Sequence, residues 1–182
     1  PLLTGAGLGE TPRAEILWCY DGPNPLSQVP PVIQRYFERH IDRLQARADH
    51  DPRRPLWQVF RVTNDTESAK VAWRDLSVLL EPVEVPAGCV ALNTVYYVPF
   101  ENPAEAAGFS RWMASPPVRA HAYAIAERAR GGWRRHFAWV VRMLPVPALP
   151  GGWAAFDERA FELRDTDRRV LDRWLDTGEV AA

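Results

Sequence analysis

The 182-residue chain is poor in lysine, cysteine and methionine. Of its 22 basic residues only Lys70 is a lysine, and the rest are arginine. Two cysteines, Cys19 and Cys89, are too few for a disulfide framework and fit a reducing, cytoplasmic setting. No apolar run approaches the roughly 18 residues of a membrane span. No charged–apolar–small signal segment opens the sequence either, so we expect neither a membrane anchor nor export. Chemistry-bearing motifs are also lacking. His40, His50, His121 and His136 have no Cys, Asp or Glu at ligand spacing, and neither HExxH nor CxxC occurs. No serine lies in G-x-S-x-G. We therefore expect no catalytic residue and no metal in this chain, and place His136 on a polar surface.

What remains is a sequence 47% hydrophobic and 25% charged, which suits one globular domain or two small ones. Its net charge of −1 hides an uneven distribution. Residues 106–156 hold seven arginines against one acid, Glu127, while acids gather in the first helix, at 101–105 and near the C-terminus. Arginine is the side chain suited to forked contacts with phosphate and guanine. The first residue is proline, so we expect a segment of a longer polypeptide.

Periodicity predicts an α+β domain with one mixed β-sheet and several packed helices. The first fifteen residues read as a short strand and a glycine-rich loop, and Ile16–Tyr20, Leu56–Val62, Lys70–Leu76 and Val90–Phe100 read as strands, the last buried on both faces. Pro30-Pro31 opens a helix to about Ala48, with Ile33, Phe37, Ile41, Leu44 and Ala48 as its apolar stripe. Glu38 and Asp42 are expected to pair with Arg35, Arg39 and Arg43 as a solvent face. Asn102 caps a second helix in which Glu105 closes a capping box. Ser115-Pro116-Pro117 starts a third, with Gly131-Gly132 as its stop, followed by a fourth over 137–144 and a last over 166–175.

The opening Gly5-Ala6-Gly7-Leu8-Gly9 has the glycines of a cofactor loop without the preceding buried strand and following helix, so no cofactor is expected here. Three features point towards nucleic acid. Gly131-Gly132-Trp133-Arg134-Arg135 is a flexible turn with an aromatic face and adjacent arginines. Just before it, Arg119, Tyr123, Glu127 and Arg130 lie on one helix face, with Arg128 beside them. The second feature is Arg35, Arg39, Arg43 and Arg47 at i+4 steps on the first helix, with a salt-bridged solvent face as the favoured alternative. Trp73-Arg74-Asp75 lies on a strand, where the arginine and acid form either a structural pair or an arginine aimed for base reading. A protein-docking scaffold with an aromatic surface is the alternative, because eight tryptophans leave some to spare.

The ordered series PLLTG (1–5), ILWCYDG (16–22), LWQVFRV, KVAWRDLS, ALNTVYYVP, Ala114-Ser115-Pro116-Pro117-Val118-Arg119, GGWRRHF and MLPVP resembles the target-recognition domain of type II adenine-N6 DNA methyltransferases, including single-chain restriction–modification enzymes. Ala114 departs from the pattern, standing where many relatives have asparagine. The resemblance implies a target-recognition domain over 1–147 and a C-terminal extension over 148–182 whose helix packs on it. It implies double-stranded DNA as partner, with a separate catalytic domain of the same polypeptide that carries S-adenosylmethionine and the Asn-Pro-Pro-aromatic motif absent here. It further implies that Arg74, Arg119, Arg130, Gly131, Gly132, Trp133, Arg134 and Arg135 meet DNA, supported by Trp73, Asp75 and Asn93.

Overall fold

A computed structural model describes residues 1–10 and 15–177. Leu2–Leu3 forms β1 and belongs to the larger of two compact units, Pro1–Ala14 with Ser68–Ala182; the smaller is Glu15–Glu67.

In the smaller unit a tight turn at Gly22 joins β2 (Tyr20–Asp21) to β3 (Asn24–Pro25). The strand expected over Ile16–Tyr20 is regular only at its last residue. The helix expected to reach Ala48 is two short ones, α1 (Pro31–Glu38) and α2 (Ile41–Gln45), broken where His40 adopts φ −111° and ψ 17°. Of the apolar stripe only Phe37 is buried, which leaves little packing to hold a longer rod straight. Nor does the expected ion pairing form: Glu38 accepts from Gln34 (2.9 Å), and Arg47 bonds Asp49 and the Val59 carbonyl, both at 2.9 Å. Leu56–Val62 is not a strand. The Tyr20 hydroxyl accepts from the Phe60 N–H (2.8 Å) and donates to its carbonyl (3.0 Å), so a side chain satisfies what a neighbouring strand would.

The larger unit is built around β4 (Lys70–Arg74), followed by β5 (Leu76–Ser77), β6 (Val83–Val85), β7 (Val90–Ala91) and β8 (Val95–Pro99). β4 pairs antiparallel with β6 on one side and β8 on the other. The period-two alternation of β4 sends Val71 and Trp73 into one apolar cluster and Ala72 into another with Leu3, Leu8, Val85, Cys89 and Val95. The strand buried on both faces is therefore β4, not Val90–Phe100. The latter breaks at Leu92–Thr94, and β8 lies at the sheet edge with mostly half-buried residues. β7 instead pairs parallel with β1, Leu2 opposite Val90.

Two helices cover the sheet: α3 (Pro103–Ala114) and α4 (Pro116–Ile125). Asn102 caps α3 as expected, accepting from the Ala104 N–H (2.9 Å). Phe109, Trp112, Met113, Val118 and Ala122 fill the larger cluster. Glu105 does not close a capping box. Its carboxylate accepts from the Trp153 and Ala154 N–H groups (2.9 and 3.2 Å), capping a 3₁₀ turn at Trp153–Ala155. β9 (Glu127–Arg128), β10 (Arg134–Arg135), α5 (Ala138–Arg142) and α6 (Asp165–Thr177) complete the chain. α6 packs on α4, with Trp174 edge-on to Tyr123 at 5.0 Å.

The fold is α+β. In place of one mixed sheet, the described residues form four small ones, and among these only the β1–β7 pairing is parallel. Among the described residues no helix is long and apolar enough to cross a membrane.

Candidate nucleic-acid interface

The helix expected to run to Gly131-Gly132 ends at Ile125, because Ala126 turns extended (φ −66°, ψ 143°). Glu127 and Arg130 therefore leave the helix face of Arg119 and Tyr123. Residues 127–135 form a β-hairpin: β9 and β10 pair antiparallel, with Arg128 opposite Arg134, and β10 pairs on its other side with β5. Gly131 and Gly132 make its tip at φ 69° and 80°, a left-handed pair that side-chain-bearing residues adopt only with strain. They are a hairpin turn rather than a helix stop.

The alternation of an extended chain then sorts the next five residues. Trp133, Arg135 and Phe137 share one face; Arg134 and His136 share the other. Arg134 is only 7% exposed, its guanidinium 4.0 Å over the Tyr123 ring. His136 is fully buried rather than on a polar surface, and neither ring nitrogen has a well-formed hydrogen bond among the described residues. Burial pushes its imidazole down to about 4; the neighbouring Arg134 charge adds to this, while the Ser77 main chain and Asp75 oppose it.

On the outward face, Arg135 donates through Nε to Asp75 Oδ1 (2.9 Å) and through Nη2 to Oδ2 (2.8 Å), with its guanidinium 4.5 Å over Phe137. Asp75 sits between β4 and β5, held by its N–H on the Thr94 carbonyl (3.0 Å) and its carbonyl on the His136 N–H (2.6 Å). The acid beside Arg74 in sequence thus belongs to Arg135. Arg74 instead donates through Nη2 to the Leu8 carbonyl (2.7 Å), with Nη1 3.7 Å from Glu81.

These residues line an open groove of about 760 Å³. It is lined by Arg74, Asp75, Leu76, Leu92, Asn93, Thr94, Trp133 and Arg135. The glycine loop closes it through Thr4, Gly5 and Ala6. That loop is structural: the Gly5 N–H donates to Thr94 Oγ1 (3.0 Å), and a side chain at Gly5 would crowd Thr94 at 3.3 Å. The Gly7 N–H also donates within the chain, to Thr4.

The groove brings together Arg74, Asp75, Asn93, Trp133 and Arg135, with Trp133 43% exposed and the Arg135 side chain 40%. Arg130, Gly131 and Gly132 are exposed at the hairpin tip beside Trp133. Arg119 is half-buried on α4, and Arg134 faces inward. Trp73 is core, its Nε1 donating to the His136 carbonyl (2.8 Å). Thr4, Gly5, Ala6 and Thr94 were not foreseen as lining; the Thr-Gly and Asn-Thr pairs were their only local signal. Among the described residues no group of three or more His, Cys, Asp or Glu could hold a metal ion.

No known protein-family model matches the chain, and no curated protein matches it.

Proposed function

We propose that the chain is a DNA sequence-recognition domain of a bacterial adenine-N6 DNA methyltransferase or fused restriction–modification enzyme. It binds duplex DNA in the cytoplasm and holds the target adenine for a separate catalytic domain, to which S-adenosylmethionine belongs. The observation that carries the reading is Arg135, fixed by Asp75 and set in an open groove beside an exposed tryptophan. Forked arginine donors suit phosphate and base edges, and an aromatic face suits stacking or wedging. The arginine excess of residues 106–156 supplies a local attraction that the net charge conceals.

Fluorescence anisotropy with a short duplex at two salt concentrations tests it. Binding that weakens steeply as salt rises is expected, because each neutralised phosphate releases counterions. No binding, or binding indifferent to salt, overturns the reading.

A second reading, a scaffold that docks a protein through an aromatic surface, draws on Trp139 and Met143. These stand four residues apart along α5 and its C-terminal end, 47% and 65% exposed. Trp139→Ser leaves duplex binding unchanged under the first reading and abolishes partner capture under the second.

A further inference from the structure

We propose that Arg135 reads a guanine and that Asp75 is its positioning residue; this rests on the duplex-binding reading above. A guanidinium has two donor edges. The side-on edge of Arg135, Nε with Nη2, is bonded at both points to Asp75. The end-on edge, the outward N–H groups of Nη1 and Nη2, is left as two parallel donors. That pair matches guanine O6 and N7, a pair of acceptors that no other base presents in the major groove.

Aim is set before any ligand arrives. Asp75 fixes the guanidinium edge, Phe137 lies under its face, and Asp75 is itself bonded to the chain at Thr94 and His136. A fork held on two sides has little rotamer freedom left to lose on binding, which favours discrimination between bases. The other arginine of the groove is differently committed. Arg74 reaches the Leu8 carbonyl and lies near Glu81, so it contributes charge rather than a free fork.

A phosphate would accept the same fork, and the experiment separates the two. Duplexes are selected from a randomised library with the wild-type chain and with Arg135→Ala, Arg135→Lys and Asp75→Asn, and a selected duplex is then remade with 7-deazaguanine, which lacks the N7 acceptor. We expect the wild type to select guanine at one position. Arg135→Ala loses that preference alone, with about 10- to 100-fold weaker binding to the selected duplex and little change on unselected ones. Arg135→Lys, which keeps the charge, and Asp75→Asn, which keeps the shape, both blur the preference. The 7-deaza duplex binds wild type more weakly and Arg135→Ala no differently. Equal weakening on every duplex with a shallower salt dependence makes the contact a phosphate and overturns the inference. Duplex binding with no guanine dependent on Arg135 overturns it too, leaving the function standing; no duplex binding at all defeats both.

Discussion

Arg134 and Arg135 are adjacent and alike, yet their surroundings assign them opposite work. Arg134 is buried over Tyr123, so Arg134→Ala removes a desolvated cation–π contact and the packing of its stem. We expect a loss of about 1–2 kcal/mol, read as a lower unfolding temperature with duplex affinity altered only as folding suffers. Arg135→Ala should do the reverse, weakening binding and shifting unfolding little, because its pair with Asp75 is partly exposed. His136 adds a pH dependence with a definite sign. Its imidazole sits at about 4 in the fold against the ordinary 6.5, so between these values the unfolded chain takes up a proton that the native chain refuses. The stability is fully present above pH 6.5 and is lost as pH falls to about 4, on the order of 3 kcal/mol in total. His136→Leu should flatten that part of the stability–pH profile, as followed by denaturant unfolding at several pH values.

At the scale of elements, α3 and the turn at Trp153–Ala155 are locked by two residues one helical turn apart. A Cβ at Gly108 would lie 1.8 Å from the Trp153 carbonyl oxygen, a distance no relaxation of one side chain can relieve. Gly108→Ala should therefore cost about 2–4 kcal/mol despite alanine's better helix propensity, with a change in tryptophan fluorescence as Trp153 is displaced from Trp112. Glu105→Ala should cost about 0.5–1.5 kcal/mol by removing the acceptor of two amides that are at most part-buried. The sequence made the caps and apolar faces of these helices legible, since Asn102, Pro103, Phe109 and Met113 obey local rules. It concealed what depends on distant partners. The 56–62 run has strand composition, but Gln58 and Val59 bond locally to Pro55 and Trp57, and a tyrosine from β2 takes both main-chain bonds of Phe60. The first arm of the 127–135 hairpin reads as helix because Arg119, Tyr123, Glu127 and Arg130 happen to keep helical spacing. Arg74-Asp75 looked like a pair because they are neighbours, whereas alternation along the strand separates them. The polar and aromatic groove residues Arg74, Asp75, Asn93, Trp133 and Arg135 were legible by type; which of them converge was not, because convergence is set by pairings across 60 residues or more.

For the whole molecule, charge placement matters more than the sum. Engaging about four phosphates lowers duplex affinity roughly 100-fold between 50 and 200 mM salt, a slope measurable by anisotropy although the chain's net charge is −1. Reversing charge at the exposed Arg128 and Arg130 should lower that slope without unfolding the chain, since neither is buried. The parallel pairing of β1 with β7 has a temporal consequence. Leu2 meets Val90, so on a ribosome adding about 5–20 residues per second the first strand waits on the order of 4–18 s for its partner. During that interval Leu3 and Leu8, both buried in the finished fold, have none of the β7 and β8 surface that later covers them. The larger unit can close only after the whole of the smaller one has been made, which gives residues 15–67 the earlier opportunity to fold.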